Sequence, residues 1–242
     1  MKRPKMILFD YGQTLVNEKK FDGIAGTRAV MQYATRNKHN YTPEDVQAVA
    51  DALNVELGRA NPDKRHLFQI EIPNHMFTSF LYQSMGIELP LTPAEIDRIF
   101  WQAAAPGVPT DGIEAFLAFL KEQSIRTGVI SNICYCGEVV KERIYSLLGA
   151  STFEFIIATS EYLFRKPNVK IFELALEKAE LKPEDVWYIG DNFQCDVVGA
   201  KNAGLFPVLY TGASSGLQEE KDVLTISHWD ELKRFLQSIP QN

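Results

Sequence analysis

The stretch Met6-Ile-Leu-Phe-Asp10-Tyr-Gly-Gln-Thr14-Leu15 decides how the rest of the chain is read. Four apolar residues run into an aspartate, then a glycine-containing turn, then a threonine. An apolar run of this length, bounded by turn residues, predicts a strand buried on both faces, as in parallel sheets. It is too short for an ordinary helix. An acid at the carboxyl end of such a strand stands where open α/β sheets bind their ligands. Asp10 equally suits the cap of a following element, so this stretch alone leaves both roles open.

Beyond Leu15 the pattern becomes helical. Thr42-Pro43-Glu44-Asp45 reads as an N-cap, a proline at the first helical position and acids in the first turn. Thr92-Pro93-Ala94-Glu95 repeats it, and Glu95 completes a capping box. Between them, 73–85 carries Met76, Phe77, Phe80 and Leu81 at helical spacing and stops at Gly86. About four helices are expected over 16–105, with no strong strand pattern. From Pro106 onward the character is α/β: strands over 127–131, 155–159, 186–190 and 206–210 alternate with helices over 111–122, 137–148, 170–179 and 194–203. A loop over 211–220 and a terminal helix over 229–237 follow. Such alternation implies right-handed crossovers and a Rossmann-like, doubly wound parallel sheet, interrupted after its first strand by a small α-helical insertion.

Composition excludes several classes. The 242 residues are 45% hydrophobic and 23% charged, an ordinary globular balance. A net charge of −6 lacks the basic footprint of a nucleic-acid binder and gives no support for anionic membranes. The basic start, Met1-Lys-Arg-Pro-Lys5, is followed by too short an apolar run for a secretory signal, and no run approaches a membrane span. Cys134, Cys136 and Cys195 match no common zinc or redox spacing, so free thiols in a reducing cytoplasm are expected. No role for Cys134 or Cys136 is readable. A monomer or homodimer is expected.

Four strand ends converge on one edge of a parallel sheet. They carry Asp10 with Thr14 beyond it, Ser131-Asn132, Arg165-Lys166-Pro167, and Gly190-Asp191 with Asp196 five residues on. Two carboxylates, a lysine and a hydroxyl on one rim suit phosphoryl transfer. One carboxylate attacks phosphorus, an oxygen-ligated magnesium ion neutralises charge, and lysine and hydroxyl bind the remaining oxygens. Each residue also has a plainer role: Asp196 a helix N-terminal charge, Ser131 a turn former, Lys166 a solvated lysine.

The set FDYGQTL, VISN, RKP and GDNFQCD, continued by Gly199-Ala-Lys-Asn-Ala-Gly204, resembles the haloacid dehalogenase-like hydrolases. The resemblance implies a core domain of 1–15 and 106–242 and a helical cap domain of 16–105. It implies Asp10 as a nucleophile that forms an aspartyl-phosphate. Ser131 and the backbone near Asn132 bind the phosphoryl group, Lys166 neutralises charge, and Thr14 supports the turn. Mg2+ is held by Asp10, the Gly12 carbonyl, Asp191 and Asp196, the last as a ligand or just behind one. The implied function is a Mg2+-dependent phosphatase of a small phosphorylated metabolite. One departure stands out. Family phosphatases carry a general acid and base two residues after the nucleophile, and here that residue is Gly12. Glu18, Asp22, His39, His66 and His75 are available replacements that the sequence does not place. A slow phosphatase, a dehalogenase-like or phosphonate hydrolase, and a phosphate-ligand binder without turnover all remain open.

Overall fold

The computed structural model describes residues 2–59, 67–149, 152–213 and 223–240. Strand β1 (Met6–Phe9) opens the chain and is buried throughout. Then come β2 (Val16–Glu18), α1 (Gly23–Met31), β3 (Arg36–Asn37), α2 (Pro43–Glu56), α3 (Asn74–Ser84), β4 (Ile87–Glu88), α4 (Pro93–Ala104) and β5 (Gly107–Pro109). The α/β part continues with α5 (Ile113–Glu122), β6 (Arg126–Ser131), α6 (Gly137–Leu148), β7 (Ile156–Ala158), α7 (Val169–Ala179) and β8 (Val186–Gly190). It ends with α8 (Gly199–Asn202), β9 (Phe206–Tyr210), β10 (Leu224–Ile226) and α9 (Trp229–Ser238).

Six strands form a parallel sheet in the order β10-β9-β8-β1-β6-β7. Period-two alternation along β1 explains its double burial. Ile7 and Phe9 enter a core with Ile113, Phe116, Leu120 and Trp229. Met6 and Leu8 enter a second core on the opposite face with Ile171, Phe172 and Ala175. The chain runs outward from β1 through β6 to β7, then returns to β8 on the other side. The reversal point therefore lies between β1 and β8, where open sheets form their crevice.

The insertion has its own core of Val30, Val46, Ala50, Leu81, Tyr82, Met85, Ile87 and Ile96. The capping box expected of Thr92 with Glu95 forms on α4, and the N-cap expected at Thr42 forms on α2, where Asp45 completes a second box. Four features differ from the sequence reading. The two connections to the sheet, β2 and β5, pair antiparallel with each other, and β3 pairs β4. Such two- and three-residue strands are too short to show periodicity. Helix α3 turns Asn74, Thr78, Leu81 and Tyr82 inward, leaving Met76 and Phe80 59% and 60% exposed. Its polar Asn74 faces in because it donates to the buried Asp97 at 2.6 Å. The helix expected over 194–203 opens as a π-helical turn, Phe193–Val198, before α8. The expected loop over 211–220 lies mostly outside the described residues, and the short β10 after it was not foreseen.

Candidate active site

Parallel register sets the site. Phe9 lies opposite both Ile189 and Val129, and the Asp10 N–H donates to the Ile189 carbonyl at 2.8 Å. Asp10, Asp191 and Ser131 thus leave neighbouring strands at nearly one level. Lys166 arrives from the loop after β7. Its backbone is clamped at both ends by the Asn132 amide: Lys166 N–H donates to Oδ1 and Nδ2 donates to the Lys166 carbonyl, each at 2.8 Å. The buried ammonium then donates to Asp10 Oδ1 and Asp196 Oδ1, both at 2.7 Å, and to the Tyr188 hydroxyl at 2.6 Å.

Asp196 reaches this point because Gly190 has no side chain. A Cβ there would sit 2.3 Å from Asp196 Cγ. The second oxygen of Asp196 accepts from the Asn192 N–H at 2.9 Å, so both of its oxygens are engaged. A wide π-turn at such a place is common where helices serve function.

Asp10, Asp191 and Asp196 offer carboxylate oxygens all within 4.8 Å of one another. Burial pushes the Asp10 carboxyl up to about 6, with Lys166 pulling it down and Asp196 adding to the rise. Burial pushes Asp191 up to about 8, with Asp10 and Asp196 adding and Lys166 opposing. Burial disfavours the charge on Lys166, but Asp10 and Asp196 outweigh it and hold its pKa above the usual lysine value. Three carboxylates face one ammonium. That residual negative charge, on hard oxygen donors, fits a divalent cation of the magnesium type.

The turn after Asp10 is braced on both sides. Thr14 is fully buried, and its carbonyl accepts from the Thr110 hydroxyl at 2.7 Å, which itself accepts from Trp229 Nε1 at 3.1 Å. Gln13, with φ 55°, takes the left-handed position of the turn. Gly12 does not, and a Cβ on it would meet nothing within 4 Å.

The profile of the haloacid dehalogenase-like hydrolases matches residues 4–204. The chain belongs to this family. It is 32% identical over 136 residues to a glyceraldehyde 3-phosphate phosphatase of Methanothermobacter thermautotrophicus, covering 53% of this chain and 58% of that one. It is 28% identical over 224 residues to a protein of the same name from Pyrococcus furiosus, covering 87% and 82%. Among solved structures, a HAD phosphatase from Thermococcus onnurineus matches with a TM-score of 0.66 at 18% identity, over 99% of both chains.

Within this haloacid dehalogenase-like hydrolase, three of the four described candidates for an acid in place of Gly12 have partners of their own, and the fourth, His75, lines a cavity. Glu18 accepts from the Tyr11 hydroxyl, Trp101 Nε1 and Arg143 Nη2 at 3.2, 2.8 and 3.2 Å, and burial raises its pKa. Asp22 caps α1. His39 packs against Tyr41 with ring centroids 5.5 Å apart. His75 lines a cavity of about 360 Å³ with Cys134 and Cys136, and His66 lies outside the described residues. The three cysteines are free, and burial pushes Cys134 and Cys136 to about 12 and Cys195 to about 11. Cys134 and Cys136 also serve through their backbones, the first accepting from the Asn74 N–H at 2.8 Å and the second donating to Asp97 Oδ2 at 2.7 Å.

Tyr188 was missed by the sequence reading. Its hydroxyl lies 3.2 Å from both Asp196 Oδ1 and the Ile130 carbonyl. The available signal was alternation: Tyr188 and Gly190 share one face of β8, and the glycine is where Asp196 lies.

Proposed function

We propose that this hydrolase is a Mg2+-dependent phosphatase of a small phosphorylated metabolite, acting through an aspartyl-phosphate on Asp10. The observation that carries the reading is the Lys166 ammonium bonded to both Asp10 and Asp196, with Asp191 in ligand range of both carboxylates. The Asp10 and Asp191 carboxylates and the Gly12 carbonyl would hold the metal, with Asp196 behind them. When bound, Mg2+ supplies electrostatic stabilisation of the phosphoryl oxygens. Asp10 attacks phosphorus and the ester oxygen departs with the P–O electron pair. Lys166 compensates the charge, while the Ser131 hydroxyl and the amides beside Asn132 bind phosphoryl oxygens. Water then attacks phosphorus, the bond to Asp10 breaks, and inorganic phosphate leaves.

The helical unit of 16–105 serves as a cap over the Asp10 rim, joined by β2 and β5, and supplies substrate selection. The relatives' name supports a short phosphorylated aldehyde or sugar as the substrate class. The protein acts in the cytoplasm, as a monomer or homodimer.

Gly12 favours a second reading, a phosphate-ligand binder without turnover, because no acid there can protonate the leaving group. A panel of phosphorylated metabolites, glyceraldehyde 3-phosphate among them, assayed with and without Mg2+, separates the two. Metal-dependent phosphate release is expected. Saturable binding without release selects the binder, and metal-independent halide release from haloacids selects a dehalogenase.

A further inference from the structure

One carboxylate of the insertion is bonded to both loops of the site. Glu71 lies between α2 and α3, and its side chain is 0% exposed. Its Oε1 accepts from Arg165 Nη1 at 3.0 Å. Its Oε2 accepts from the Thr159 hydroxyl at 2.6 Å, and that hydroxyl accepts in turn from the Ile133 N–H at 3.0 Å. The main chain reinforces the contact. Glu71 N–H donates to the Leu163 carbonyl at 3.1 Å, Arg165 N–H donates to the Gln69 carbonyl at 2.9 Å, and Ile70 bridges Phe164 antiparallel.

A buried carboxylate requires partners. Those of Glu71, Arg165 and Thr159, belong to the α/β part, and each leads to a loop of the site. Arg165 immediately precedes Lys166. Thr159 holds the Ile133 N–H, and Ile133 is two residues after Ser131, in the loop to which the phosphatase reading assigns the phosphoryl-binding amides. We infer that Glu71 is a positioning residue: it sets the Ser131 loop and the Lys166 loop together, so the site is complete only with the insertion docked. This rests on the phosphatase reading above. A plain structural tie would share the hydrogen bonds but would act only on stability.

The test uses full-length Glu71→Ala and Glu71→Gln, each compared with the wild type by three measurements. These are Mg2+-dependent turnover of p-nitrophenyl phosphate, affinity for inorganic phosphate by calorimetry, and thermal unfolding. For Glu71→Ala, kcat per folded molecule is expected to fall about 10–100-fold, the usual range for removing a group that orients a site residue, and phosphate affinity to weaken. Glu71→Gln is expected to lose less, because its amide oxygen still serves Arg165 while its NH2 group meets Thr159. A lowered melting temperature with unchanged kcat and phosphate affinity overturns the inference. If Glu71→Ala does not fold, Glu71→Gln decides by the same criterion. If the wild type binds phosphate without turning over ester, the phosphatase reading fails, and the variants' phosphate affinities still decide the role of Glu71. A wild type that does neither overturns both.

Discussion

Under the phosphatase proposal Gly12 stands where a proton-transfer group would serve, and its backbone is compatible with a replacement. The left-handed conformation of the turn falls on Gln13, not on Gly12, and a side chain at 12 would enter open space. Gly12→Asp should therefore fold unchanged and restore a proton-transfer group. Steady-state kinetics should show kcat rising for alkyl phosphates, up to the 10²–10⁴-fold that acid–base help commonly supplies. The gain should be small for p-nitrophenyl phosphate, whose leaving group barely needs a proton. A folded, Mg2+-binding variant with no gain on alkyl phosphates would show that proton transfer is not what the wild type lacks. The meeting of Lys166 and Asp10 was readable at this scale because one motif ends a strand and the other lies in the loop after another strand of the same sheet. Tyr188 and Glu71 were not, since a tyrosine in an apolar run and a glutamate between helices read as core and surface until the fold brings them together.

At the scale of elements, the insertion is attached by more than its two connecting strands. Asp97 on α4 is buried, accepts from Asn74 Nδ2 at 2.6 Å, and accepts from the Cys136 N–H at the start of α6 at 2.7 Å. Trp101, near the end of the same helix, stacks on Tyr135 at 4.8 Å. Asp97→Ala leaves a buried amide and an N–H without that acceptor, which should cost about 1–3 kcal/mol. Thermal unfolding should show the loss, and amide exchange at Cys136 should accelerate. Unchanged exchange there would mean that the contact is not held in solution. Helices α2 and α4 of the insertion were legible from Thr42 and Thr92, because N-cap signals are local. Its inward faces were not. On α3, a hydrogen bond to Asp97 turns Asn74 and Thr78 inward and leaves Met76 and Phe80 outside, and that bond joins residues 23 apart in sequence.

Over the whole molecule, the alternation of strands and helices after Pro106 and the double burial of β1 were sufficient to read a doubly wound sheet, while β10 was too short to stand out. The same topology concentrates acids at the β1/β8 reversal, which has a consequence for stability. Burial raises Asp10 and Asp191, so they hold protons in the folded state at pH values where the unfolded chain, with carboxyls near the ordinary 3.8, has lost them. Their contribution is fully present below 3.8 and is lost as pH rises through about 6 and about 8. In EDTA, Asp191→Asn should therefore melt above the wild type at pH 8, with the gap narrowing toward pH 5. Saturating Mg2+, which binds the folded wild type, should close or reverse that gap. A gap independent of pH and metal would place Asp191 outside a shared charge site.

The central claim is that Asp10 is the nucleophile of a metal-dependent phosphatase. The most direct measurement is phosphate release from phosphate monoesters by the wild type and Asp10→Asn, each with Mg2+ and with EDTA. The account predicts release by the wild type with Mg2+ alone, and none from Asp10→Asn under either condition. Release that persists in EDTA, or in a folded Asp10→Asn, would contradict it.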